Sequence, residues 1–87
     1  MPVDITMYTT DHCSFCTSAK ALLASKKVTP IEIRVDDDDE ERAKMEKLSG
    51  RRTVPQIFIN GRSIGGFEDL KRLSESGELD KLLGREV

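Results

Sequence analysis

The feature that most limits what this chain can fold into lies in its N-terminal third. A short apolar, β-prone run, Ile5 to Tyr8, precedes two cysteines separated by two residues, Cys13 and Cys16. Phe15, Ala19, Leu22 and Leu23 then fall at i, i+4, i+7 and i+8, the stripe of an amphipathic helix, and Val28 to Pro30 closes it. Ile31, Ile33 and Val35 next alternate with Glu32 and Arg34, as in a half-buried strand with one polar face. Strand, helix and strand in this order imply a parallel pair joined by a helical crossover, right-handed in about 98% of such units. The two cysteines sit where the first strand hands over to the helix.

The remaining pattern extends this unit. Asp38 with Glu41 three residues on resembles a capping box, and Ala43, Met45 and Leu48 follow on a second helix that Gly50 would stop. Thr53-Val54-Pro55 precedes the apolar run Ile57 to Ile59; proline cannot serve inside a sheet, so Pro55 must stand at the start of that strand. Asn60-Gly61 is a strong hairpin signal, with Arg62 to Ile64 as the returning strand. After Gly65-Gly66, Phe67, Leu70 and Leu73 mark another helix, and Leu79, Leu82 and Leu83 a final helical turn. The expected order is β-α-β-α-β-β-α in one α/β domain spanning residues 1–87, since 87 residues fall short of two domains at about 100 to 200 each.

Charge and hydropathy exclude several classes. Fourteen Lys and Arg against sixteen Asp and Glu give a net charge of -2, which offers no broad footprint for nucleic acid. No apolar run approaches the roughly 20 residues that span a bilayer. Met1-Pro2-Val3-Asp4 lacks a basic stretch leading into an apolar one, so neither a secretory nor a transit peptide is expected, and a reducing, cytoplasmic setting is. Asp36 to Glu41 invites a calcium reading, but a loop starting at Asp36 would want glycine at position 41 and glutamate at 47, where the chain has Glu41 and Lys47. It reads as a solvated acidic loop feeding a helix N-terminus.

The cysteines call for a chemical explanation. Two residues between them close too small a loop for much chain entropy to be at stake. A structural zinc site needs four ligands, and the chain offers two cysteines and one histidine, His12, which reads as a surface loop residue. A CxxC pair between strand and helix is instead the setting of a dithiol redox motif. Cα atoms three apart on a helix lie about 5 Å from each other, inside the disulfide window of roughly 4.4 to 6.8 Å. The Cβ atoms of a regular helix are slightly too distant, which places Cys13 just before or at the first turn. Unpaired N–H groups there favour a thiolate at Cys13 over one at Cys16, making Cys13 the expected nucleophile and Cys16 the resolving thiol.

Tyr8-Thr9, the CxxC pair, Thr53-Val54-Pro55-Gln56-Ile57-Phe58-Ile59, Gly65-Gly66 and Asp69-Leu70, in this order and spacing, resemble a glutaredoxin over essentially the whole chain. The resemblance implies a thioredoxin-like fold, a four-stranded mixed sheet flanked by helices, with Pro55 cis and facing the cysteines and glutathione bound beside them. A cis peptide there would turn the Val54 backbone N–H and C=O into the groove, where a peptide-like ligand could pair with them. Gly65-Gly66 would let the ligand approach closely, and the helix start Phe67-Glu68-Asp69 offers N–H groups to a carboxylate. By resemblance the Glu68 backbone and the Asp69 carboxylate hold the α-carboxylate and ammonium of the γ-glutamyl end. Thr10 stands where the family often has lysine, which leaves Arg52, beside Thr53, as the cation expected at the glycyl carboxylate. The implied glutathione site is thus Arg52, Thr53, Val54, Pro55, Gly66, Phe67, Glu68 and Asp69.

A second departure is Ser14-Phe15 where the dithiol family commonly has Pro-Tyr. Family members with serine there are sometimes associated with bridging [2Fe-2S] clusters. Two readings follow. One is a glutathione-dependent thiol-disulfide oxidoreductase reducing protein disulfides and protein–glutathione mixed disulfides, active as a monomer in cell redox homeostasis, with glutathione as co-substrate and no separate cofactor or metal. The alternative is a dimeric cluster carrier, in which two Cys13 thiolates and two glutathiones ligate one [2Fe-2S] centre.

Overall fold

The computed structural model describes residues 3–84. Met1 and Pro2, the head of the N-terminal stretch considered above, and residues 85–87 of the expected domain lie outside the described residues. The elements are β1 (Ile5–Thr9), α1 (Ser14–Ser25), β2 (Ile31–Arg34), α2 (Asp39–Ser49), β3 (Gln56–Ile59), β4 (Arg62–Gly65), α3 (Phe67–Ser76) and α4 (Glu78–Leu82). The strands form one sheet in the order β2-β1-β3-β4. β1 runs parallel to β2 and antiparallel to β3, so Tyr8 sits between Ile33 and Gln56, and β4 closes the sheet antiparallel to β3. Asn60 and Gly61 both take positive φ, 52° and 79°, the conformation a two-residue type I′ hairpin requires.

The alternation of each strand divides the apolar residues between two faces. Ile5, Met7, Ile57 and Ile59 point to one side and meet Ala19 and Leu23 of α1, Leu70 of α3, and Leu79 and Leu83 at the C-terminal end. Tyr8 and Phe58 point to the other, edge to face with ring centroids 5.7 Å apart, and pack with Val35 and Met45.

Four expectations are modified. The Asp38 carboxylate caps α2 by accepting the Glu41 N–H (3.1 Å), but the reciprocal half of the box is not formed: the Asp38 N–H goes to the Val35 carbonyl (3.4 Å). Of the apolar residues assigned to α2 only Met45 is buried, and Ala43 and Leu48 face solvent, because Met45 alone reaches the gap between Val35 and the Tyr8–Phe58 pair. β2 is an edge strand whose Ile31 is 63% exposed, so its burial grows only toward Val35. At the C-terminal end Gly77, at φ 86°, stops α3 and starts α4, so the expected final helical turn at Leu79 and Leu82 is a separate helix, one more than the order β-α-β-α-β-β-α counts.

Candidate active site

Cys13 is the N-cap of α1. Its backbone is extended (φ -106°, ψ 107°) and its Sγ accepts the Cys16 N–H at 3.2 Å, while its carbonyl accepts from the Thr17 N–H (3.1 Å) and hydroxyl (3.2 Å). The sulfur thus takes the place that a serine or aspartate oxygen occupies in an ordinary cap, against the positive end of the helix. The two thiols are free but unequal: Cys13 is half-buried, and Cys16, one turn on, is 2% exposed. Burial above all, then the hydrogen bond with Cys13, pushes the Cys16 thiol up; the Thr9 hydroxyl and Thr10 backbone pull the other way without reversing it. His12, at φ 56°, faces Asp11 (3.5 Å) with its ring in solvent.

A groove of about 320 Å³, lined at the start of α1 by Phe15, two residues after Cys13, lies between that helix, the loop before β3 and the start of α3. Of the expected ligand-site residues it brings together Thr53, Val54, Pro55, Gly66, Phe67, Glu68 and Asp69, with Phe15 and Arg51 added. The Val54–Pro55 bond is cis. Phe15 and Phe67 face each other across the mouth, centroids 6.3 Å apart. Gly66 caps α3, and Asp69 Oδ2 accepts both its N–H (3.0 Å) and Arg51 Nη1 (2.8 Å), with Arg72 Nη1 3.5 Å from Oδ1. The Arg51 guanidinium first, and the Gly66 N–H second, hold the Asp69 carboxyl below the usual carboxylate range. Gly65 makes this possible: at φ 110°, a Cβ there would sit 2.4 Å from Asp69 Oδ2.

Arg52 stands apart from the groove. Its Nε faces Glu46 at 3.5 Å and its side chain is 79% exposed, while its carbonyl accepts from Arg42 Nη1 (3.3 Å). The cation in the groove is its neighbour Arg51, whose N–H and carbonyl both bond the Ser49 hydroxyl (3.0 and 3.1 Å) just past the end of α2. Those two bonds set the chain direction after Gly50 and send the Arg51 side chain toward Asp69. The Arg51-Arg52 doublet signalled a cation near Thr53; which of the two faces inward depends on a loop rotation that residue types do not encode.

Cys13 itself lines a wider hollow of about 540 Å³, with Thr9 to His12, Ser14, Cys16, Thr17, Lys20, Glu32 and Arg34. Lys20 pairs with Glu32 (3.3 Å), and Arg34 pairs with Asp36 and lies 3.8 Å from Asp11. Arg34 holds Asp36 down to about 2. Among the described residues no group of three or more His, Cys, Asp or Glu is arranged to hold a metal ion, and no helix is long and apolar enough to cross a membrane.

An open thiol at a helix N-terminus, a covered thiol one turn on, and a groove edged with backbone and charge define a dithiol–disulfide exchange protein on a thioredoxin-like sheet. The glutaredoxin family model matches residues 5–64. A glutaredoxin of Neisseria meningitidis serogroup A is 54% identical over 80 residues, covering 91% of this chain and 94% of that one. The solution structure of a glutaredoxin from Brucella melitensis superposes with a TM-score of 0.83 at 44% identity, covering 99% and 96% of the two chains. A buckwheat glutaredoxin–glutathione complex does so with a TM-score of 0.87 at 26% identity, covering 94% and 77%. The chain belongs to the glutaredoxin family, whose chemistry is thiol-disulfide oxidoreduction.

Proposed function

We propose that the protein is a glutathione-dependent oxidoreductase that reduces protein–glutathione mixed disulfides and protein disulfides, acting as a single-domain monomer in a reducing, cytoplasmic setting. The observation that carries this reading is the half-buried Cys13 sulfur at the N-terminus of α1, whose Phe15 two residues on lines the groove that Thr53 to Pro55 and Gly66 to Asp69 enclose. That the buckwheat relative was solved with glutathione supports the choice of ligand.

In the proposed reaction the Cys13 thiolate attacks the glutathionyl sulfur of the substrate. The S–S bond breaks, the substrate thiolate leaves and takes a proton, and glutathione remains on Cys13. A second glutathione thiolate attacks the glutathionyl sulfur, releasing glutathione disulfide and restoring the Cys13 thiolate. For a protein disulfide the Cys13 thiolate attacks one sulfur and the other leaves as a thiolate; the Cys16 thiol then loses its proton and attacks the Cys13 sulfur, expelling the reduced protein and leaving a Cys13–Cys16 disulfide that two glutathiones reduce, giving glutathione disulfide. The γ-glutamyl carboxylate would take the N–H groups at the start of α3 and its ammonium would join Asp69. Arg51 is then the cation nearest the ligand, in the role the sequence suggested for Arg52.

The test couples a glutathionylated peptide to glutathione with glutathione reductase, and separately to thioredoxin reductase alone. Turnover is expected with the first; turnover with the second alone would overturn the reading.

The unequal exposure of the two cysteines favours one further reading. With Cys16 covered, a chain offers one accessible thiolate, so a [2Fe-2S] centre would take its ligands from two Cys13 residues and two glutathiones. Anaerobic reconstitution with iron, sulfide and glutathione would then give a brown dimer inactive in exchange. A colourless monomer at every glutathione concentration would refute it.

A further inference from the structure

Gln56 is a polar residue where the fold gives it no need to be polar. It opens β3, is 1% exposed, and is followed by three buried apolar residues of the same strand. Its side-chain amide reaches back to Thr53, donating to the carbonyl at 3.0 Å and to the hydroxyl at 3.3 Å. Its own oxygen, Oε1, is buried and has no hydrogen-bond partner among the described residues. A carbonyl can only accept, so the nitrogen must be the atom facing Thr53; rotating the amide would set two acceptors against each other. The orphaned Oε1 is therefore a fixed feature of this arrangement.

A buried acceptor without a donor costs stability, and an apolar side chain of the same shape would remove that cost. Thr53 would lose little by the exchange, because it is exposed and water can reach it. What the glutamine supplies in return is a hold on Thr53 from beneath the sheet surface. The neighbouring residues of the loop are held from α2: Ser49 binds Arg51, and Arg42 binds the Arg52 carbonyl. Gln56 extends this series of attachments to Thr53, the first of the three consecutive residues that line the groove.

We propose that Gln56 is a positioning residue for ligand binding: its amide fixes the Thr53 backbone, and through it the Val54 backbone in the groove, at a cost to the stability of the fold. The proposal rests on the glutathione reading and makes a prediction that a structural role would not, namely that binding weakens with no loss of stability.

Gln56→Met keeps the length of the side chain and removes both donors. Binding is measured by calorimetry with S-methylglutathione, which cannot exchange, alongside thermal unfolding and steady-state kinetics on a glutathionylated peptide. The expected result is an unchanged or higher Tm, affinity reduced about five- to tenfold, the share of one to two neutral hydrogen bonds, and KM raised to match. Both kcat and the rate of Cys13 alkylation by iodoacetamide stay as in the parent. A lower Tm would overturn the proposal, since Gln56 would then serve the fold; so would unchanged affinity. If the parent protein does not bind S-methylglutathione, the glutathione reading fails, and hydrogen exchange of the Val54 amide decides the tether separately. Faster exchange in Gln56→Met sustains it, and equal exchange refutes it.

Discussion

The two hollows at the start of α1, one lined by Cys13 and the other by Phe15, differ in what holds their polar groups. The wider one is rimmed by Lys20, Glu32, Arg34 and Asp11, which pair with one another or with Asp36 and remain in contact with solvent. Such exposed pairs contribute roughly 0 to 1 kcal/mol and are screened by salt. The narrower groove presents groups whose positions are set from behind: Asp69 by the Gly66 N–H and Arg51, Arg51 by Ser49, Thr53 by Gln56. Volume favours the first hollow and preorganisation the second. A ligand gains most where donors and acceptors need not be ordered on arrival, which is why the proposed reading puts glutathione in the smaller space.

The largest test removes the Cys13 sulfur itself. Cys13→Ser should abolish deglutathionylation in the glutathione-coupled assay, whereas Cys16→Ser should retain it and lose reduction of intramolecular protein disulfides; the reverse pattern would exchange the two roles. Next comes Gly65→Ala, whose methyl group would meet the Asp69 carboxylate at a backbone angle that disfavours alanine. It should destabilise the fold by about 1 to 2 kcal/mol, read by urea unfolding, and raise KM as the carboxylate shifts. Arg51→Ala should weaken S-methylglutathione binding by about five- to tenfold, on the order of one charge-assisted contact, and Arg52→Ala by less than about twofold. Equal losses would return Arg52 to the groove.

A smaller effect lies in acid. Asp69 is held below its unfolded value, so its contribution to stability is complete above the ordinary carboxylate pKa near 3.9 and disappears as pH falls through the lower folded value. Asp69→Asn should therefore flatten the fall of Tm below about pH 4; an identical acid limb in both proteins would show that the Arg51 pair does not contribute. The smallest change is Arg34→Gln in the wider hollow, with KM within about twofold of the parent at moderate salt. A larger change would show that this hollow also meets the substrate.

Much of the architecture could be read from residue types because it depends on local rules. Ile5 to Tyr8, the α1 stripe and the alternation of Ile31, Ile33 and Val35 specify strand, helix and strand, and Asn60-Gly61 specifies its turn. Gly77 was harder to read, since a glycine inside an apolar repeat gives no sign of whether the helix ends or continues. Within the site, the place of Cys13 before the first turn follows from helix geometry and disulfide reach. The orientation of Arg51 does not, since it depends on a contact between Ser49 and the chain beyond it. Gln56 left a readable trace, a polar residue next to Ile57-Phe58-Ile59, whose meaning appears only when its amide is seen to face Thr53.

The cover over Cys16 sets how long a captured partner stays. On the proposed roles, a protein joined to Cys13 leaves either when Cys16 gives up its proton or when a free thiol arrives from outside. Burial pushes the Cys16 thiol up, which disfavours the thiolate the first route needs. Where glutathione is plentiful, the second route dominates and dwell times are short. Where it is scarce, release waits for Cys16, and the lifetime of the captured complex becomes a gauge of the surrounding thiol supply.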